Sequence, residues 1–202
     1  ILEERWNNLI SAIYATGEIT KRFIELQDLE GEFYFSGQNL IQIEIGSLKY
    51  KTLMKGWLNH LYLSANSSFN SKTLIISKKI DYSKKIIYEV SKEICPINTQ
   101  EATKILTEIH QLAAAGRKNC WPIPPESGLS YALAINEKNK NEEDLFKKKW
   151  EGDLYRQGER ESLTMELCFG KECKASTFLD VKSFNNVLMS LYEPLLKNIY
   201  QK

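Results

Sequence analysis

The hydrophobic period of the chain changes twice along its first half, and that change constrains the fold more than any other feature. Leu2, Trp6, Leu9, Ile10 and Ile13 recur at helical spacing, and Gly17 closes the pattern. From Phe23 the period drops to two. Residues 23–26, 32–35 and 40–45 read as three strands, the third setting Ile41, Ile43 and Ile45 on one face and Gln42 and Glu44 on the other. Ser36-Gly37-Gln38-Asn39 is a turn signal that predicts a hairpin between the second and third strands. Helical spacing then returns at Leu53, Trp57, Leu58 and Leu61.

Two further strands are predicted at 73–77 and 86–90, with Lys78, Lys79, Lys84 and Lys85 between their cores. Asn98 or Thr99 caps a helix, with Glu101 at capping-box spacing from Asn98, that carries Ile105, Ile109, Leu112 and Ala113 on one stripe and is expected to stop at Gly116. Residues 120–125 hold three prolines and read as extended. Helical patterns follow at 127–135, 142–150 and 184–200, with a short one over 160–169, and Pro194 is expected to kink the last or split off its final turn. There is no internal repeat and no composition shift. The order predicts one α/β domain over 1–202, built on a mixed central sheet of about five strands flanked by helices.

Composition then narrows the function. Lys plus Arg number 27 against 26 Asp plus Glu, a net charge of +1, which excludes a module held on nucleic acid by net charge alone but leaves room for a local basic face. Cys95, Cys120, Cys168 and Cys173 form no CxxC pair, and the two histidines, His60 and His110, stand apart. The chain is thus a poor zinc protein, and its thiols read as reduced. His60 reads as a half-buried structural imidazole. No GxSxG, Walker or GxGxxG motif occurs, and no cofactor is expected. No apolar run nears the roughly 20 residues that span a bilayer, and no signal-peptide pattern is present, so a cytoplasmic place and no membrane partner are expected. The helical pattern that starts at Ile1 is read as the beginning of a domain excised from a longer polypeptide.

The helix, three strands, helix, strand order is also the layout of the PD-(D/E)xK nuclease core. That core holds a divalent metal between a carboxylate on one strand and a carboxylate and lysine spaced two apart on the next. Gly31-Glu32-Phe33 fits the start of the first signature, but Tyr34 stands where the aspartate belongs. Glu44 stands where the second carboxylate belongs, and Gly46 replaces the lysine. A phenol is a poor Mg²⁺ ligand at neutral pH and glycine offers no charge, so the expectation is a nuclease-like core without catalytic residues and without a metal. Glu44 itself reads as a solvated residue on the polar face of its strand.

Phosphate contacts are expected instead from exposed basic residues: Lys49, Lys51 and Lys55 after the third strand, and Lys78, Lys79, Lys84 and Lys85 around the later hairpin. A cluster at Lys147, Lys148 and Lys149 is weakened by Glu142, Glu143 and Asp144.

Several stretches, in order, resemble one family. Gly56-Trp57-Leu58-Asn59-His60-Leu61, Pro122-Ile123-Pro124-Pro125-Glu126-Ser127-Gly128, Trp150-Glu151-Gly152 with Arg156-Gln157-Gly158-Glu159, and Tyr192-Glu193-Pro194-Leu195-Leu196 resemble the C-terminal domain of the RecC subunit, the gamma chain of exodeoxyribonuclease V (RecBCD). The resemblance implies a nuclease-like domain that has lost its catalytic groups. It implies work in double-strand break repair and recombination beside RecB-like and RecD-like subunits in a heterotrimer, where a rigid pin helps split duplex or forked DNA. The turn over 35–40, with Phe35 at its base and Gln38 at its tip, is the candidate pin.

Three rivals stay open on the sequence. One is an active Mg²⁺-dependent nuclease that uses a displaced set drawn from Glu25, Asp28, Glu32 and Glu44. Another is an AddB-like DNA-binding domain with an iron–sulfur cluster on the four cysteines. The third is a protein-interaction module with no nucleic-acid role.

Overall fold

The computed structural model of the chain describes residues 2–26, 29–66, 69–81, 85–118, 123–138, 141–181 and 183–201. These gather into two compact units, one made of residues 1–107 and 198–202 and the other of residues 108–197.

The first unit opens with helix α1 (Leu2–Tyr14), followed by the strands β1 (Ile19–Leu26), β2 (Leu29–Ser36) and β3 (Asn39–Glu44). Helix α2 (Tyr50–Asn66) leads into strands β4 (Thr73–Ile80) and β5 (Ile86–Ile94). The sheet runs β1-β2-β3-β4-β5 and gains a sixth, short strand at its edge, β8 (Ile199–Gln201), which pairs antiparallel with the end of β5. Only β3 and β4 run parallel; every other neighbouring pair is antiparallel. Helix α2 makes the crossover that a parallel pair requires. The five strands expected from the pattern are all present, within a few residues of their expected ends. The two-residue loop of the β2–β3 hairpin places Gly37 at φ 59, where a II′ turn needs glycine.

Strand alternation gives this sheet two covered faces. Ile41 and Ile76 pack with Leu9 of α1, joined by Ile43, Tyr88 and Val90. Phe33, Phe35 and Leu40 pack with Leu63 of α2 on the other face, with Ile24 and Leu26 beside them. Trp57, Leu61 and Leu63 of α2 are fully buried, as the apolar period of that helix requires.

Helix α3 (Thr99–Lys118) starts at the predicted cap, where the Asn98 side chain accepts from the Glu101 N–H at 2.9 Å. It does not stop at Gly116. Glycine in a helix costs only about 1 kcal/mol, and here it sits in the last turn without adopting a left-handed conformation.

The second unit holds α4 (Pro125–Asn136), α5 (Glu142–Glu151), a small hairpin of β6 (Gly152–Asp153) and β7 (Arg156–Gln157), a 3₁₀ turn at Glu159–Glu161, α6 (Leu163–Phe169), α7 (Ser176–Leu179) and α8 (Phe184–Lys197). The extended segment expected at 120–125 lies partly outside the described residues, at Cys120, Trp121 and Pro122. Pro124 is extended, but Pro125 begins α4, since proline is tolerated in the first turn. Helix α8 runs through Pro194 to Lys197, so no final turn splits off, and residues 199–201 form a strand where helix was expected. The core of this unit is aromatic: Phe146 stacks edge-on against Tyr131, Phe178 and Phe184, and Trp150 against Phe169 and Phe178.

Stretches of this unit that lie far apart in sequence meet there. The Glu159 carboxylate caps α4 from 32 residues away, accepting from the Glu126 N–H at 2.9 Å, the Ser127 N–H at 2.7 Å and the Ser127 hydroxyl at 2.6 Å. Gly128 lies where a Cβ would come within 3.2 Å of Leu188 on α8, and the Tyr192 hydroxyl donates to the Pro125 carbonyl at 3.2 Å. Gly158 leaves no room for a side chain: a Cβ would stand 2.3 Å from the Trp150 carbonyl oxygen.

Candidate functional site

The sheet opens between β2 and β3. Strand β1 follows β2 along its whole length, but β2 pairs with β3 only where Tyr34–Ser36 meets Asn39–Ile41. Beyond Tyr34 the two strands part. Gly31 lies in the departing half of β2 at φ 153, a conformation that disfavours any other residue. The parting leaves a cleft of about 450 Å³. Phe33, Leu40, Ile41 and Ile43 give it apolar walls, and Glu30, Glu32, Tyr34 and Gln42 line it from the strands. Lys55 and Asn59, one helical turn apart on α2, close it from the helix side.

The nuclease-pattern positions divide between two places. Gly31 and Tyr34 are in the cleft wall. Tyr34 stands opposite Ile41 and so shares the face of Ile41 and Ile43, whereas Glu44 shares the face of Leu40 and Gln42. Tyr34 and Glu44 therefore project to opposite sides of the sheet.

Glu44 does more than face solvent. Its carboxylate accepts from the Gly46 N–H at 3.1 Å and from the Thr52 hydroxyl, tying the β3–α2 corner to the first turn of the helix. The Thr52 hydrogen bond holds this carboxyl below the usual carboxylate range, against partial burial, with Gly46 and the Lys49 charge adding to the effect. Gly46 in turn accepts from the Lys78 N–H at 3.0 Å, extending the β3–β4 pairing past the strand end.

The turn over 35–40 is firm but offers no wedge at its base. Phe35 is 2% exposed and Leu40 is equally buried beneath α2, because their shared face is the core face. Arg22 lies 4.6 Å above the Phe35 ring and donates to the Gly37 carbonyl at 3.1 Å. Gln38 remains exposed at the tip, where its side-chain oxygen accepts from Ser71.

Lys49, Lys51 and Lys55 are exposed around the start of α2. Lys79 pairs with Glu89 at 2.6 Å, Lys78 is half-buried and Lys85 is exposed; Lys84 lies outside the described residues.

His60 is fully buried rather than half-buried. It stacks on Trp57, and its Nδ1 lies 2.9 Å from the Thr73 hydroxyl. Burial lowers its pKa to about 4, against the Cys95 backbone, so the ring is neutral at physiological pH. Cys95, Cys168 and Cys173 are free thiols, and Cys120, like Asp28, lies outside the described residues. Among the described residues no group of three or more His, Cys, Asp or Glu side chains is placed to hold a metal ion, and no helix is long and apolar enough to cross a membrane.

Two features escape the sequence. One is the cleft itself, with Gln42 and Asn59 in it; Gln42 reads only as the polar side of a strand and Asn59 only as part of a helix. The other is the β6–β7 hairpin, which carries Leu154 and Tyr155 at its tip, 96% and 92% exposed. Its signal was present in the glycines that bracket Asp153-Leu154-Tyr155-Arg156-Gln157.

Among known proteins, the chain matches the family model of the RecC C-terminal domain over residues 10–136, more than half of its length. That span takes in the whole of β1 to β5, the Trp57-Leu58-Asn59-His60-Leu61 helix and the Pro-Glu-Ser-Gly start of α4. No curated protein matches it individually.

Proposed function

The chain belongs to the RecC C-terminal domain family, and from that premise we propose that it is a non-catalytic part that handles DNA, helping to split duplex or forked DNA and guide the strands to RecB-like and RecD-like subunits. RecC is a subunit of the RecBCD enzyme complex, exodeoxyribonuclease V, which works in DNA repair and recombination. The match over residues 10–136 carries the proposal. The helix, three strands, helix, strand order is compatible with a nuclease-derived core. The chemistry supports the loss of catalysis: both oxygens of Glu44 are engaged in holding a corner, Gly46 brings no charge, and Tyr34 points to the other face. The compartment follows from the substrate, cytoplasmic DNA.

Lys49, Lys51, Lys55 and Lys85 are the basic residues with exposure suited to phosphate. The strand-splitting role belongs to the β6–β7 hairpin rather than to the 35–40 turn. Its exposed Leu154 and Tyr155 offer an apolar wedge for an opened base step, and its base closes so tightly at Gly152 and Gly158 that neither position has room for a side chain.

Labelled forked and blunt duplexes test this, with Mg²⁺ added. The full chain is expected to prefer the fork, to lose affinity as salt rises, and to leave both substrates uncut. The double substitution Leu154→Ser with Tyr155→Ser is expected to weaken fork binding at least fivefold with unchanged thermal stability. Equal binding of fork and blunt duplex, or cleavage abolished by Glu44→Ala, overturns the proposal.

A further inference from the structure

Strand β1 is an open edge. It ends the sheet on its side, and no strand among the described residues pairs its outer side. Hydrogen-bonding parity fixes which groups it offers. The Gly37 N–H donates to the Glu18 carbonyl at 3.3 Å, so Glu18 and Gly37, one step past Ile19 and Ser36 in the register, form a hydrogen-bonded pair. Every second residue does the same. Thr20, Arg22, Ile24 and Leu26 therefore turn their backbone groups toward β2, and Lys21, Phe23 and Glu25 turn theirs outward. Those three side chains share one face and all are exposed, Phe23 by 64%. Helix α1 packs chiefly on β5 and α2 on β3 and β4, and neither shields Lys21, Phe23 or Glu25.

An unpaired row of donors and acceptors beside an exposed aromatic recruits another strand. The charges say which one. Glu25 stands directly opposite Glu30 on β2 in a non-hydrogen-bonded pair, an unfavourable like-charge arrangement. Lys21, at the other end of the stretch, pairs with Glu32 at 2.6 Å. A cation brought to Glu25 from outside relieves the repulsion, and β1 itself carries one at the matching distance. In an antiparallel pairing of two copies centred on Phe23, Phe23 meets Phe23 and each Lys21 meets the Glu25 of the other copy. Registers centred on Lys21, Arg22 or Glu25 set like charges opposite each other, and one centred on Ile24 puts Glu25 against Phe23. Of the registers centred within Lys21–Glu25, only the one on Phe23 forms ion pairs.

We propose that β1 pairs antiparallel with β1 of a second copy of this chain. The two sheets join edge to edge through about six backbone hydrogen bonds, with Phe23 on the two-fold axis and a Lys21–Glu25 ion pair on either side of it. The contact is one strand wide and its ion pairs are exposed, so the association is weak and salt-sensitive. It does not depend on the DNA-handling reading.

Sedimentation equilibrium of the full chain tests it. The parent is expected to pass from monomer to dimer as its concentration rises toward the millimolar range, and to return toward monomer in high salt. Lys21→Glu makes positions 21 and 25 both acidic, and Glu25→Lys makes both basic. Each variant alone is expected to dimerise roughly tenfold more weakly or worse. Mixed in equal amounts the two are expected to associate again, since acid then meets base at both positions. Phe23→Ser is expected to weaken the dimer in a chain with unchanged thermal unfolding. A parent that stays monomeric at millimolar concentration overturns the proposal. So does a dimer indifferent to these substitutions, or a failure of the two charge variants to associate on mixing while each keeps its folded spectrum.

Discussion

The two units differ in what becomes of the polar side chains that line their most distinctive features. In the second, the polar groups of its recognisable stretches are consumed by structure: Glu159 has three donors on its carboxylate, and Glu151 accepts from the Ala175 N–H at 3.0 Å. In the first, β2 and β3 part and leave Gln42, Lys55 and Asn59 facing a cavity with nothing bonded to them among the described residues. The polar side chains of this chain are therefore not of one kind: some hold the frame, and others line an open cleft.

Replacing Gly158 by alanine is the harshest test of that contrast. A Cβ there meets backbone at 2.3 Å from the Trp150 oxygen and 2.4 Å from the Glu151 carbonyl carbon, and neither is the free end of a side chain. Thermal unfolding should record a loss of about 4 kcal/mol or more, enough to unfold a marginal domain. A loss below 1 kcal/mol would show that the hairpin gives way easily and that its rigidity has been misjudged.

Glu159→Ala comes next. It strips the α4 N-terminus of a charged acceptor for two N–H groups and leaves the Ser127 hydroxyl unpaired. Denaturant unfolding should show a cost of about 3 kcal/mol. Gln42→Ala in the cleft, by contrast, should change stability by less than about 0.5 kcal/mol, since it has no bond to lose.

A pH-dependent effect concerns the floor under α2. His60 is neutral when folded, with its pKa lowered to about 4 from 6.5, so between those values the unfolded chain binds the extra proton. Stability attributable to His60 is complete above pH 6.5 and is lost as pH falls toward 4, a loss of about 2 kcal/mol between pH 7.5 and 5. His60→Gln should flatten that part of the stability curve relative to the parent chain. An unchanged slope would mean that the ring is hydrated and that the open region reaches further beneath α2 than the cleft.

Much of the fold could be read in the chain because its signals are local. Ile41, Ile43 and Ile45 announce their strand by alternation, Gly37 its turn and Asn98 its helix cap, each through bonds or steric limits within a few residues. Gly116 and Pro194 misled for different reasons: a glycine in a last turn costs only about 1 kcal/mol, and the helix around Pro194 is held by the buried Tyr192, Leu195 and Leu196. Residues 199–201 carry too little pattern to declare a strand that only β5 can pair. Phe35 was legible as an aromatic beside a turn, but the direction in which it points depends on the register with Leu40.

What the sequence alone determined is the run of elements of the first unit, helix, three strands, helix and two strands, because each is announced by a local period, turn or cap. What only the tertiary structure decided is which side chains end up together. The Glu159 cap on α4, the opposite faces of Tyr34 and Glu44, and the cleft shared by Gln42 and Asn59 all depend on where β2 leaves β3 and how distant segments return. Such placements are set by long-range packing of the whole chain, and no short window of residues encodes them.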